Sequence, residues 1–212
     1  MPNFDFENEY QGIVAGVDEA GRGPWFGPVI AGAVVFLKKE IDPYLLAHLN
    51  DSKKLSFKRR EELYALIEKE ADAGNLCYAI GLASAKEIDQ INILQASFLA
   101  MQRAVEGLPV KPDIALIDGN RLPQDFSCKA KCIIKGDALS YSISAASVMA
   151  KVYRDHLMCE MSIKYPGYGF EKNAGYGTKD HIEGLKKYGI TPEHRLSYKP
   201  IKEIVLQKSE KK

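Results

Sequence analysis

The sequence contains no run of about 18 uncharged apolar residues, the length that a membrane-spanning helix requires. Its opening, MPNFDFENEY, is acidic where a secretory signal would be basic and then apolar. These absences lead us to expect a cytoplasmic protein without a membrane partner. Cysteine is scarce: Cys77, Cys128, Cys132 and Cys159 are scattered, which excludes the dense disulfide framework of a small secreted domain. Cys128 and Cys132 have a spacing that zinc could use, but no second Cys or His pair stands at ligand spacing, so ordinary reduced thiols are expected. The histidines, His48, His156, His181 and His194, are dispersed. An excess of one charge is also lacking, since 29 Lys plus Arg stand against 28 Asp plus Glu for a formal net charge of +1. A global basic field is thereby excluded, and any contact with a polyanion must come from local patches.

What is present fits one α/β domain with a tail, 212 residues being enough to bury a substantial core. Strand-like apolar runs fall at Ile13–Val17, Val29–Leu37, Leu76–Leu82, Ile114–Ile117 and Cys132–Ile134. Between them, Ser56 can cap a helix over Phe57–Ala73 whose apolar face carries Leu63, Leu66, Ile67 and Ala71. Ser84-Ala85-Lys86-Glu87 has the form of a capping box, and Asn92 can cap a following helix with the stripe Leu94, Phe98, Met101, Val105. These stripes read as core surface. A long helix is expected over Ser142–Ile163, ending before Tyr165-Pro166-Gly167. The first two strands look antiparallel and the later ones are separated by helices, so a mixed sheet covered by helices is the economical architecture. The main body is expected over residues 1–165. Residues 166–212 form a helical extension packed as part of the same domain, finishing in the lysine-rich tail Lys202–Lys212.

Residues 16 to 23, Gly-Val-Asp-Glu-Ala-Gly-Arg-Gly, set Asp18 and Glu19 side by side at the exit of the first apolar run. Burying both carboxylates there without a counter-cation is expensive, and a hard cation such as Mg²⁺ removes the penalty. Gly21 and Gly23 let the backbone approach a ligand closely and turn N–H groups toward it, while Arg22 adds a positive charge. Asp118 closes the run Ile114–Ile117, and Asp137 closes Cys132-Ile133-Ile134-Lys135-Gly136. Each Asp alone is an ordinary turn former. Three strands that each end in a carboxylate, where sites assemble in an open α/β sheet, point instead to a shared metal site. Carboxylates without a soft ligand select Mg²⁺ or Mn²⁺ over zinc. Two such ions about 4 Å apart could activate a water on one side of a phosphodiester and stabilise the leaving oxygen on the other.

Taken with Asn50-Asp51-Ser52-Lys53-Lys54-Leu55, Lys135-Gly136-Asp137, Ala145-Ala146-Ser147 running to Ala150-Lys151 and Arg154-Asp155, Gly175-Tyr176-Gly177-Thr178 and His194-Arg195, these residues resemble the type 2 ribonucleases H in order, over about residues 12 to 200. The resemblance implies a ribonuclease H-like mixed five-stranded sheet flanked by helices, with a C-terminal helical extension. It implies an endonuclease that hydrolyses the RNA strand of RNA/DNA hybrids and nicks 5′ of single ribonucleotides in duplex DNA, leaving 3′-hydroxyl and 5′-phosphate ends. Asp18, Glu19, Asp118 and Asp137 match the carboxylates of a two-metal centre holding Mg²⁺ or Mn²⁺. Gly21, Arg22 and Gly23 match the segment that senses the ribonucleotide 2′-hydroxyl, the group that distinguishes RNA from DNA. Tyr176 matches a tyrosine that stacks on the neighbouring deoxyribose. Lys53, Lys54 and Lys151 are candidate phosphate contacts in a protein expected to act as a monomer.

Two places depart from the resemblance. Trp25-Phe26 stands where the family usually has smaller apolar residues, which is expected to alter packing beneath the Gly-Arg-Gly turn. Asn173-Ala174 replaces a common His-Lys pair, removing a charge beside Tyr176. Three rival functions share some of these features. A dinucleotide-binding module is disfavoured because Gly21, Gly23 and Gly27 give G-x-G-x-x-x-G, and carboxylates before the turn would repel a metal-free pyrophosphate. A non-catalytic nucleic-acid binder would differ by lacking metal-dependent nicking. A type 3 ribonuclease H typically carries an extra N-terminal domain and lacks the tyrosine motif, whereas here the first site-bearing strand begins at Ile13.

Overall fold

Two glycines in the first strands determine how the molecule is layered. A β-carbon on Gly16 would lie 2.1 Å from the backbone carbon of Ser142, and one on Gly32 would lie 2.5 Å from the carbonyl oxygen of Ala146. Only glycine lets the long helix that carries Ser142 and Ala146 lie against the sheet at that separation. The computed structural model describes residues 1–209, with side chains described through Leu206. Helix α1 (Asp5–Asn8) leads into β1 (Val14–Ala20) and β2 (Val29–Phe36), followed by α2 (Pro43–His48), α3 (Phe57–Asp72), β3 (Leu76–Ala83) and α4 (Ala85–Glu106). Then come β4 (Ile114–Asp118), β5 (Lys129–Ile133), a single 3₁₀ turn at Gly136–Ala138, and α5 (Tyr141–Lys164). The chain ends in α6 (Phe170–Asn173), α7 (Lys179–Tyr188) and α8 (Lys199–Ser209).

The sheet order is β3-β2-β1-β4-β5. Strands β1 to β3 pair antiparallel, whereas β4 joins β1, and β5 joins β4, in parallel. This is the mixed five-stranded sheet that the alternation of strands and helices led us to expect. One face is covered by α4, whose Ala96, Ala100 and Ala104 sit among Val17, Ala31 and Ile117. The other is covered by α3 and α5, which bring Leu63, Ile67, Ala145 and Met149 together with Val34. Within α4 the backbone breaks at Asn92 (φ 66°), where Asn92 Oδ1 accepts from the N–H groups of Leu94 and Gln95 and restarts the helix. The capping box at Ser84 and Glu87 is complete.

Two expectations shift. The fifth strand begins at Lys129, three residues before the expected Cys132, because it is an edge strand. Its outward lysines interrupt the apolar run that marks a buried strand. The segment read as a lysine-rich tail from Lys202 continues a helix that starts at Lys199, and residues 210–212 of that tail lie outside the described residues. Past Lys164, the chain builds a small aromatic core of its own. Phe26 stacks on Phe170 with ring centroids 3.8 Å apart, and Tyr168, Leu185 and Ile201 close around them.

Candidate active site

Register alone brings the first two carboxylates together. Because β1 and β4 run parallel with Val17 opposite Ile117, the next residues, Asp18 and Asp118, emerge side by side at the strand ends. Asp137 arrives differently from the sequence expectation: it does not end a strand. Strand β5 stops at Ile133, Lys135 takes a left-handed backbone (φ 59°), and the 3₁₀ turn that holds Asp137 folds back over β4. The Gly136 N–H donates to Asp118 Oδ1 at 2.7 Å, which locks the turn to the carboxylate it serves. As a result, one oxygen from each of Asp18, Asp118 and Asp137 lies within 4.8 Å of the others.

The trio is electrostatically unsatisfied. Asp18 is 3 % exposed; its Oδ1 accepts the Glu19 N–H at 2.7 Å, while its Oδ2 is buried without a hydrogen-bond partner. Burial, then the charges of Glu19 and Asp118, push its carboxyl well above the ordinary range. Burial raises Asp137 to about 6, with Asp118 and Asp51 adding to the shift. These are oxygen donors, with no cysteine or histidine among them. An orphaned carboxylate oxygen beside two more carboxylates fits a hard divalent cation, which would supply the missing partner and relieve the repulsion.

The other candidate residues divide. Glu19 is not in the trio; its Oε1 lies 3.3 Å from Arg22 Nη1, and burial raises its pKa against the pull of Arg22. Glu19 and Arg22 instead line a cleft of about 300 Å³ with Phe98, Met101, Asp118 and Arg121. Lys53 lies at the acidic end: burial disfavours its charge, but Asp18, Asp51, Asp137 and Asp118 outweigh that and raise its pKa. Its loop is tied to α5 by the Ser52 and Ser147 hydroxyls, 2.7 Å apart. Lys54 points outward, 3.8 Å from Asp51. Lys151 is set apart, paired with Asp155 in a separate pocket beside Arg60 and Phe170.

Gly21, Arg22 and Gly23 form the turn that follows β1. Gly21 has φ +95°, and a β-carbon there would lie 2.1 Å from Arg154 Nε. A β-carbon on Gly23 would lie 3.1 Å from Tyr176 Cε1, so the half-exposed Tyr176 ring sits against this turn. What holds the turn was not among the candidate residues. Arg195, fully buried, donates to the carbonyls of Gly21 (2.6 Å), Arg22 (2.9 Å) and Gly27 (2.9 Å). Arg154 donates to Phe26, Pro28 and Ala174, which joins the turn to the Tyr176 loop. Burial, and then the charge of Arg195, bring Arg154 down to about 10, and burial lowers Arg195 as well. The available signal was their place in two of the segments that carry the resemblance, Arg154-Asp155 and His194-Arg195.

Both departures are structural and lie under the tyrosine loop. Trp25 rests on Gly177, where a β-carbon would be 2.0 Å from its ring, so its indole packs against the tyrosine loop. Asn173 is buried, donating to the Tyr168 carbonyl and accepting the Gly175 N–H, both at 2.8 Å. It shapes the loop that presents Tyr176.

The ribonuclease HII family profile matches residues 15–201. A ribonuclease HII of Jannaschia sp. is 52 % identical over 205 residues, covering 96 % of this chain and 98 % of that protein. A ribonuclease HII of Endomicrobium trichonymphae is 53 % identical over 194 residues, covering 92 % and 89 % respectively. The crystal structure of the ribonuclease H2 from Pyrococcus horikoshii superposes with a TM-score of 0.72 at 30 % identity, covering 92 % of this chain and 98 % of that one. Among the described residues, no helix is long and apolar enough to cross a membrane. With the mixed sheet and the acidic trio at its strand ends, these matches establish that the chain belongs to the ribonuclease HII family, metal-dependent endonucleases that degrade the RNA of RNA/DNA hybrids.

Proposed function

We propose that this chain nicks duplex DNA on the 5′ side of a single embedded ribonucleotide, in addition to degrading the RNA of hybrids, and does so as a cytoplasmic monomer. The observation that carries this reading is the Tyr176 ring lying against Gly23, on the turn that leaves the acidic strand end. An aromatic face packs well on a sugar without a 2′-hydroxyl, while the glycine turn beside it admits and hydrogen-bonds a sugar with one. Together they describe a ribonucleotide followed by a deoxyribonucleotide.

Asp18, Asp118 and Asp137 would hold the divalent cations, two ions of Mg²⁺ or Mn²⁺ in our reading, with Glu19 completing the set at the cleft. Bound there, the cations supply a nucleophilic water at neutral pH and neutralise charge at the leaving oxygen. The chain's own residues position the substrate. Arg195 and Arg154 hold the carbonyls of the turn inward, which fixes the backbone that meets the 2′-hydroxyl. Lys53, whose charged form the acidic cluster favours, would meet the scissile phosphate. Lys54 and Arg22 add exposed charge along the backbone path. Lys151, engaged with Asp155, contributes to phosphate binding only if that pair opens.

The test is cleavage of a DNA duplex bearing one ribonucleotide, with end analysis of the products. A cut 5′ of the ribonucleotide, dependent on Mg²⁺ or Mn²⁺ and leaving 3′-hydroxyl and 5′-phosphate ends, is expected. Products with a 2′,3′-cyclic phosphate, or cleavage of hybrids alone, would overturn it.

A further inference from the structure

Behind the Tyr176 loop lie two histidines that the metal chemistry does not use. His181, at the third position of α7, and His194 are 0 % and 1 % exposed. Their Nε2 atoms are 3.0 Å apart. Trp25, Phe26, Tyr168 and Phe170 surround them, with centroids between 5.0 and 6.2 Å from one or other imidazole.

The protons in this pair are fixed from both ends. The Thr191 N–H, which can only donate, points at His194 Nδ1 at 2.9 Å. That nitrogen therefore accepts, and the His194 proton sits on Nε2. At the other end the Tyr176 carbonyl, which can only accept, lies 3.0 Å from His181 Nδ1. His181 therefore carries its proton on Nδ1 and accepts at Nε2. The tautomers required at the two ends agree in the middle: His194 Nε2–H donates to His181 Nε2. The result is a one-directional chain from the Thr191 amide through two neutral rings to the Tyr176 carbonyl. An added proton on either ring would set two donors against each other, and burial lowers the pKa of both, His194 to about 4.

We propose that His181 and His194 are positioning residues for substrate selection: their neutral hydrogen-bond chain fixes the Tyr176 backbone, and so holds its ring against Gly23 in register with the sugar beyond the ribonucleotide. This rests on the reading that Tyr176 meets that sugar. Tyr176 is half exposed, its N–H bonds to Asn173, and its carbonyl is held by His181 and by the Thr178 N–H at 2.8 Å. Loss of the His181 donor frees one side of the peptide that sets the ring's direction. Displacement of a reacting group by about 1 Å costs on the order of a hundredfold in rate, so a smaller shift transmitted through one peptide is expected to cost about tenfold.

The experiment compares kcat and KM on two substrates, a duplex with one embedded ribonucleotide and a uniform RNA/DNA hybrid, alongside melting curves. Tyr176→Ala is the reference for the underlying reading. If it leaves the ratio of the two activities unchanged, that reading fails, and the relay's role in selection fails with it. Given a changed ratio, His181→Gln is expected to lose about tenfold in kcat on the single-ribonucleotide duplex, with KM and hybrid cleavage little changed. His181→Asn places an amide N–H where Nδ1 stood, and should restore most of the loss. His194→Gln keeps a donor at the Nε2 position and should be milder than His194→Leu. The double variant His181→Gln/Tyr176→Ala should be no worse than Tyr176→Ala alone, because both act through one ring. Equal effects of the Asn and Gln changes, equal losses on both substrates, or additivity with Tyr176→Ala would overturn the relay. The comparison of Asn with Gln decides the matter even if His194→Leu fails to fold.

Discussion

The two ends of this site are built on opposite principles. At the strand ends, three carboxylates crowd together, one buried oxygen has no partner, and pKa values are pushed upward. At the recognition loops, two buried arginines spend their donors on carbonyls and a tyrosine hydroxyl, and two buried histidines share a neutral hydrogen-bond chain. The first region is incomplete without a cation, whereas the second is satisfied by the chain itself. In the proposed function, chemistry falls to the frustrated cluster and selection to the preorganised one.

The largest effect should come from removing charge at the frustrated end. Asp118→Asn or Asp137→Asn is expected to lower turnover on the order of a thousandfold or more while leaving the fold intact. Relief of repulsion should raise the metal-free melting temperature by a few degrees. Near wild-type cleavage by Asp118→Asn at saturating Mg²⁺ would remove that residue from the site. The opposite signature is expected at the recognition end. Arg195→Met removes the guanidinium from the carbonyls of Gly21, Arg22 and Gly27, of which Arg22 keeps only the Tyr198 hydroxyl, and should cost about 3–5 kcal/mol of stability, lowering the melting temperature with or without metal. A variant that melts like wild type would show that the turn does not depend on Arg195.

Within the turn, the two glycines sharpen the contrast. Gly21→Ala requires a left-handed backbone and a clash with Arg154, and should destabilise by about 2 kcal/mol or more. Gly23→Ala meets only the half-exposed Tyr176 ring, which can yield. Its stability should change by less than about 1 kcal/mol, with a selective loss on the single-ribonucleotide duplex. Equal destabilisation by both changes would contradict the placement of Tyr176.

How much of this was legible in the sequence follows the same division. Strand-end carboxylates announce themselves, since Asp18 and Asp118 each close an apolar run. Asp137 looked similar, but the strand before it is a lysine-bearing edge, and its approach depends on a left-handed Lys135 that no periodicity signals. Glu19 and Lys151 also have near neighbours of opposite charge, Arg22 three positions on and Asp155 four positions on, which the motif reading did not weigh. The supporting contacts were the least legible. Arg195 holds Gly21 from 174 positions away, and the histidine pair is 13 positions apart, one on α7 and one in the loop that follows it. Long-range contacts of this kind are products of tertiary packing and leave no local pattern.

Whether the acidic end is incomplete without a cation is read out by melting metal-free protein from pH 4 to 8, with and without Mn²⁺, in wild type and in Asp137→Asn. A carboxyl raised from the ordinary 3.8 to about 6 holds a proton in the folded state that the unfolded chain has already released. Its contribution therefore makes stability fall as pH rises through that window. Asp18 and Glu19 act in the same direction. We expect the metal-free wild type to lose stability relative to Asp137→Asn between pH 4 and 6. Mn²⁺ should restore it above pH 6 while doing little near pH 4, where protons compete for the ligands. Wild-type and variant curves that run parallel across the range, with no response to Mn²⁺ at neutral pH, would show that the acidic end needs no cation.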